Sequence, residues 1–240
     1  KKKPWDFLLW VTNQPSHIMK WESPWGVGFP GWHIECTAMS TKYLGKRFDI
    51  HTGGKEHVPV HHTNEVAQAF GAFGQQTANY WLHNDWLVFD GQKMSKSLGN
   101  MVTAQDLLAK GINPLALRYL ILTSHYRQGL NFTWKGLEAS QKALDNLYAK
   151  AIELKKAKPV RPGPDSKKYQ KKFIDNLSQD LGVASTLALT WQMLKDKALK
   201  PGEKHKLLID FDQVLGLKVA ENSSPKKSLA IPTEVERLAE

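Results

Sequence analysis

Arg47-Phe48-Asp49-Ile50-His51-Thr52-Gly53-Gly54 decides the fold class: a short run with β-forming residues, closed by two glycines, reads as a strand entering a glycine turn. Asp85-Trp86-Leu87-Val88-Phe89 reads as a second strand, directly ahead of the turn signal Asp90-Gly91. Helical stretches lie between and around them, and strands that alternate with helices predict an α/β layer fold up to about residue 100. From Thr103 the pattern turns helical. Thr103 followed by Asp106 predicts a capping-box start for Leu107-Leu108, and Gly111 a stop. A second helix is expected from Pro114, with Leu117, Leu120 and Ile121 on one face, and a third over 134–156. Lys158-Pro159-Val160-Arg161-Pro162-Gly163-Pro164-Asp165 reads as a linker, because three prolines and a glycine do not continue a helix. Beyond it, 173–181, 183–199 and 205–217 read as further helices, and 231–238 as a helix start.

The 240 residues are 41% hydrophobic, 10% aromatic and 23% charged, which suits a folded protein and excludes a disordered or fibrous one. No apolar run reaches the roughly 18 to 20 residues that a membrane-spanning helix requires, so no membrane partner is expected. Cys36 is the single cysteine; an internal disulfide is excluded, and a reducing, cytoplasmic compartment is the expectation. The start Lys1-Lys2-Lys3-Pro4-Trp5 has neither an initiator Met nor an apolar segment after its charges, and reads like the interior of a longer chain. The formal net charge of +10 suits a polyanionic partner, with a dense series of Lys and Arg from Lys135 to Lys206.

The histidines gather elsewhere. Four of nine fall between His51 and His62, and His61 with Glu65 are one helical turn apart on a shared face. An imidazole and a carboxylate so placed can both reach one Zn²⁺, with Cys36 as a soft third ligand; three ligands suit a catalytic site with an open position. The same residues also describe a buried thiol and a helix-surface pair, since the spacing is neither CxxC nor HExxH. His62 should point about 100° around the helix from His61, making it the weaker ligand and free to face a substrate. Lys93-Met94-Ser95-Lys96-Ser97-Leu98-Gly99-Asn100 places two lysines and two hydroxyls on a loop that leads to a helix, a combination able to hold phosphate oxygens. It lacks the spacing of a Walker loop.

Lys93 to Ser97 reproduces the KMSKS signature of class I aminoacyl-tRNA synthetases. Together with Pro30-Gly31-Trp32-His33-Ile34-Glu35-Cys36, His61-His62-Thr63-Asn64-Glu65 and Ala78-Asn79-Tyr80-Trp81-Leu82-His83-Asn84, it makes the chain resemble the cysteinyl-tRNA synthetase family. Pro4-Trp5-Asp6-Phe7, Phe48-Asp49-Ile50-His51 and His125-Tyr126-Arg127 carry the likeness further, over 4 to about 150, with Asp212-Gln213-Val214-Leu215-Gly216-Leu217 fitting the helical remainder.

The resemblance implies the C-terminal half of a Rossmann-like catalytic domain followed by an α-helical bundle. It divides the chain into 1–102 with the zinc site and the KMSKS loop, a stem-contact region 103–157, and a tRNA-binding domain 166–240. It implies activation of L-cysteine by ATP with Mg²⁺ to cysteinyl-adenylate, then transfer to tRNA-Cys. The implied zinc ligands are Cys36, His61 and Glu65, with the zinc taking the substrate thiolate in preference to a serine hydroxyl. Lys96, beside Lys93, is implied in stabilising charge on the phosphates, Trp32 in lining the cysteine pocket, and His51, Gly53, Gly54 and Glu56 in contacting the adenosine. Thr52 and Glu56 stand where the family usually has glycine and aspartate, and Val60 where it usually has proline. The family's N-terminal part, with its His-Ile-Gly-His-type signature and a further zinc-binding cysteine, has no counterpart in these residues. The remaining part of a longer synthetase is therefore an expected partner. A ligase that passes cysteine to an amino sugar, and a non-catalytic paralogue that binds zinc and tRNA, are the alternatives.

Overall fold

The computed structural model describes residues 3–94 and 101–223, and the chain divides into two compact units, Lys1–Trp86 and Leu87–Glu240. In the first, β1 (Trp10–Thr12) pairs antiparallel with β2 (Gly28–Pro30), and α1 (Ile34–Leu44) follows. Next come β3 (Phe48–Gly54), a 3-10 turn (Lys55–His57), a π turn (Val58–His62), α2 (Thr63–Phe73) and β4 (Ala78–Asn84). β3 and β4 are parallel, in register from Phe48↔Ala78 to Gly54↔Asn84, and parallel neighbours require the crossover that α2 supplies. Gly74, at φ 70, ends α2 in the left-handed conformation, with its amide bonded to the Phe70 carbonyl.

The strand expected from Arg47 thus runs on to Gly54. The one expected over 85–89 is the shorter β5 (Leu87–Phe89), and β4 precedes it as an element that the strand pattern did not disclose. Ala78-Asn79-Tyr80-Trp81-Leu82-His83-Asn84 lacks the alternation of a half-buried strand. Its strand character comes from pairing with β3.

In the second unit β5 turns through Asp90-Gly91, both at positive φ, into β6 (Gln92–Lys93), and β7 (Leu130–Phe132) pairs parallel to β5. α3 (Ala104–Ala109) carries the expected capping box of Thr103 and Asp106, and Gly111 follows it at φ 70. α4 (Pro114–Leu122) is capped by the Asn113 side chain, and α5 (Trp134–Lys155) by that of Thr133. Four more helices follow: α6 (Pro164–Ser178), α7 (Val183–Lys195), α8 (Pro201–Leu215) and α9 (Val219–Asn222). The expected linker is therefore shorter, because Pro164 opens α6. A proline at the first helical position loses only an N–H that has no partner in the helix. Pro201 opens α8 in the same way, ahead of the expected start at His205, and α7 ends at Lys195, where the Asp196 carboxylate accepts the Ala198 amide. The expected helix start at 231–238 lies outside the described residues.

The two units are filled differently. The apolar core runs through α3 to α9, with Leu137, Leu144, Leu147, Leu208 and Leu217 fully buried. Among the described residues of the first unit, the buried apolar side chains are Ala69 and Ala78, while His33, Thr37, His61, His62, Glu65 and Thr77 are buried and polar. Charged and polar groups are rarely buried without a purpose, which draws attention to this interior. No helix among the described residues is long and apolar enough to cross a membrane.

Candidate active site

The polar interior is assembled from three short segments. Gly31 passes so close to the Leu8 carbonyl that a Cβ would overlap it, and this approach brings Trp32 and His33 to the start of α1. His33 holds φ 86, a region an L-residue seldom adopts, and Cys36 then falls in the first turn of α1. α1 is tied to α2 by the side chains of Thr37 and Gln68, 2.6 Å apart.

The second segment is the π turn. It is closed by Thr63 Oγ1 donating to the Val58 carbonyl at 2.6 Å, and the adjacent His61 and His62 at its end are both buried. His62 is thus buried, but it stands outside the group formed by Cys36, His61 and Glu65, in keeping with its expected place as the weaker ligand. His62 Nε2 lies 3.9 Å from Glu65 Oε2, and its Nδ1 lies 2.7 Å from His83 Nε2 of β4. The third segment is β3. His51 Nε2 stands 3.1 Å from Glu65 Oε2. Gly53 has to be glycine because a Cβ there would lie 2.6 Å from His62 Cε1, and at Gly54 it would overlap the Glu56 carboxylate.

Glu65 is the centre of this arrangement. It is 2% exposed, and its Oε2 has no hydrogen-bond partner although His51, His61 and His62 surround it at 3.1, 3.6 and 3.9 Å. An orphaned carboxylate oxygen in a buried site is costly unless a cation completes it. Donor atoms of Cys36, His61 and Glu65 lie within 4.8 Å of one another, and so do those of His51, His62 and Glu65. The donor chemistry, one thiol, imidazoles and a carboxylate, fits zinc. Burial, with Glu65 next in weight, pushes the Cys36 thiol up, so the sulfur stays protonated until a cation displaces the proton. Burial lowers His33, with His61 adding to it, and brings His62 to about 4, with His51 the next cause; both imidazoles are neutral near pH 7.

Trp32 covers the site from the solvent side. It is 59% exposed, and its ring stacks on His61 at 5.2 Å and on His33 at 4.4 Å. Glu56 is exposed on the 3-10 turn beside His57. Lys93 sits on β6 in the second unit, and Lys96 lies outside the described residues. His33, Asn64 and His83 join the site without having been singled out. All three lie in stretches that carry the family resemblance, yet nothing in the sequence announces the positive φ of His33.

Comparison with known proteins identifies the family. The family model for the tRNA synthetases class I (C) catalytic domain matches residues 1–142. Cysteine--tRNA ligase 1 of Burkholderia lata is 44% identical over 225 residues, covering 92% of this chain and 46% of the relative. Cysteine--tRNA ligase of Treponema denticola is 39% identical over 246 residues, covering 93% and 50%, and that of Thermus thermophilus 42% over 215 residues, covering 87% and 43%. The chain thus spans about half the length of the curated relatives it matches. Its fold is similar to the crystal structure of the ternary complex of Agrobacterium radiobacter LeuRS-tRNA-LeuAMS, with TM-score 0.60 at 16% identity over 85% of this chain and 33% of that one. From this match of more than half its length, the chain belongs to the class I (C) tRNA synthetases, by way of their catalytic domain.

Proposed function

We propose that the chain works as part of a longer cysteine--tRNA ligase, contributing the C-terminal half of its Rossmann-like catalytic domain, a stem-contact region and a helical tRNA-binding bundle. The boundaries proposed are 1–102, 103–157 and 166–240. The reaction is ATP-dependent activation of L-cysteine to cysteinyl-adenylate and transfer to tRNA-Cys, in the cytoplasm, with Mg²⁺ accompanying ATP. The observation that carries this reading is the orphaned Glu65 Oε2, buried among imidazoles and within reach of Cys36, beneath the exposed ring of Trp32.

Cys36, His61 and Glu65 would hold zinc, which when bound supplies a Lewis acid that takes a thiolate in preference to a hydroxyl. Trp32, already stacked on His61, forms a wall against which the substrate side chain packs and from which water is excluded. His51, Gly53, Gly54 and Glu56 are assigned to the adenosine. The Glu56 carboxylate is exposed to accept a ribose hydroxyl. Lys96 is assigned to the charge that builds on the α-phosphate and the leaving pyrophosphate, with Lys93, three residues earlier in the sequence, beside it in this role.

The basic helices after Lys135 suit the phosphates of tRNA. The relatives described above are named as tRNA ligases, which does not favour an amino-sugar acceptor or a non-catalytic paralogue. ATP–pyrophosphate exchange with L-cysteine tests the reading. The longer synthetase should exchange, and Lys96→Ala should slow it by about 10²–10³. The 240-residue chain alone should show little or none. Exchange at full rate by the isolated chain, or an unaffected Lys96→Ala variant, overturns the assignment.

A further inference from the structure

His33 is a buried residue that the proposed reaction leaves unused. It is 4% exposed and held at φ 86, its ring edge-on to Phe7 at 5.3 Å and stacked with Trp32 at 4.4 Å. Backbone strain of this kind persists where surrounding contacts enforce it, and it gathers at functional sites. Both nitrogens of the ring have polar neighbours: Nδ1 lies 2.7 Å from His61 Nδ1, and Nε2 lies 3.1 Å from the Asn64 side-chain nitrogen.

Two imidazole nitrogens 2.7 Å apart need one proton between them. With none, two lone pairs face each other; with two, the N–H groups collide. In the arrangement with Asn64 Nδ2–H donating to His33 Nε2, His33 carries its proton on Nδ1 and donates it to His61 Nδ1. With its Nδ1 accepting, His61 has its proton on Nε2, the nitrogen 3.6 Å from Glu65 Oε2, and cannot ligate through that atom.

We propose that His33 is the positioning residue of the metal site, setting the tautomer of His61, and that ion binding reverses the direction of the Asn64–His33–His61 hydrogen-bond chain. The proposal rests on the zinc reading of Cys36, His61 and Glu65. In the loaded state His61 carries its proton on Nδ1 and donates to His33 Nδ1, leaving the His61 Nε2 lone pair for the ion. His33 then carries its proton on Nε2 and donates to the Asn64 Oδ1, with the amide turned over. The protons balance. One crosses from His33 Nδ1 to His61 Nδ1, one leaves His61 Nε2 for solvent, and one arrives from solvent at His33 Nε2. Each imidazole keeps one proton, so this pair neither charges nor releases a net proton. An outer partner that fixes the tautomer of a ligating histidine raises metal affinity in general.

The test uses the 240-residue chain with Co²⁺ and Zn²⁺ as the only probes. His33→Phe keeps the stacked ring but removes both nitrogens, and should weaken Co²⁺ binding by about 10–100-fold, read from the cobalt absorption bands. His33→Asn returns an acceptor oxygen near the place of Nδ1 and should recover most of that loss. On the unsubstituted chain, ¹⁵N–¹H correlation of labelled histidines should show His61 as the Nε2–H tautomer without ion and Nδ1–H with Zn²⁺, His33 changing in the opposite sense. This spectrum decides the matter if His33→Phe does not fold. Unchanged cobalt affinity in a folded His33→Phe chain, or a His33 tautomer that is the same with and without zinc, overturns the proposal alone. An unsubstituted chain that binds neither ion overturns the zinc reading and the proposal with it.

Discussion

Replacing Glu65 by glutamine should move stability in opposite directions depending on zinc. Glu65 Oε2 is buried without a hydrogen bond, and its side chain is 3% exposed. A buried polar group left unsatisfied costs about 1–3 kcal/mol, more when it is charged. The three imidazoles at 3.1–3.9 Å offset part of that cost, so the lower half of the range is the better expectation. Glu65→Gln keeps the size and removes the charge, and the amide can donate to one of those rings. Without metal the variant should therefore be more stable than the parent by about 1–2 kcal/mol. With zinc the order should invert, because the parent gains about 2.7 kcal/mol at free zinc a hundredfold above its Kd, while the variant has lost its anionic ligand. Urea unfolding followed by tryptophan fluorescence, in EDTA and in buffered zinc, reads both states. Seven of the nine tryptophans precede residue 87, so the signal weights the first unit. A glutamine variant that is less stable in EDTA by more than about 1 kcal/mol would mean that the carboxylate is satisfied by its histidines, and the inference from the orphaned oxygen would fail.

Further outcomes follow from particular contacts. Gly53→Ala puts a Cβ 2.6 Å from His62 Cε1 and should destabilise by about 1–3 kcal/mol while weakening zinc binding. Gly71→Ala, inside α2 with open space at the Cβ position, should instead stabilise by about 0.5–1 kcal/mol, and urea midpoints compare the pair. Leu144→Ala in α5, at a fully buried position of the second unit, should cost about 2–5 kcal/mol, visible in the helical circular dichroism on heating. Asp180 accepts from Arg127 and Tyr126, and the Arg127 hydrogen bonds lower its carboxyl from 3.8 to about 2. A folded-state value below the unfolded one gives stability that is present above pH 3.8 and lost as pH falls through about 2. Asp180→Asn should flatten the acid limb in that window, and an unchanged acid profile would show that this cluster contributes nothing.

The elements legible in the sequence are those written in local chemistry. Thr103 with Asp106, Asp90-Gly91, Gly111 and Pro114 each specify a cap or a turn by themselves, and each appears at its expected place. The proposed ligand set rests on two sources: the i, i+4 spacing of His61 and Glu65, which the structure keeps because the π turn passes into α2 without a break, and the family resemblance. What stayed hidden depends on tertiary contact. β4 exists by pairing with β3, and β4 also covers His62, whose ring lies 4.9 Å from that of Trp81 and whose Nδ1 is 2.7 Å from His83 Nε2. His33 reaches His61 through a backbone angle that no side-chain pattern encodes. Helix starts at Pro164 and Pro201 were displaced because apolar spacing marks where a helix packs, and proline marks where it begins.

The most direct measurement is the metal content of the purified chain and of Cys36→Ala, with Co²⁺ absorption followed as L-cysteine or L-serine is added. We expect a single zinc or cobalt ion per chain, lost in Cys36→Ala. Addition of L-cysteine, but not L-serine, should add sulfur-to-cobalt charge-transfer intensity. A chain that binds no ion, or an ion site indifferent to both Cys36 and L-cysteine, would contradict the assignment of this polar interior to cysteine recognition.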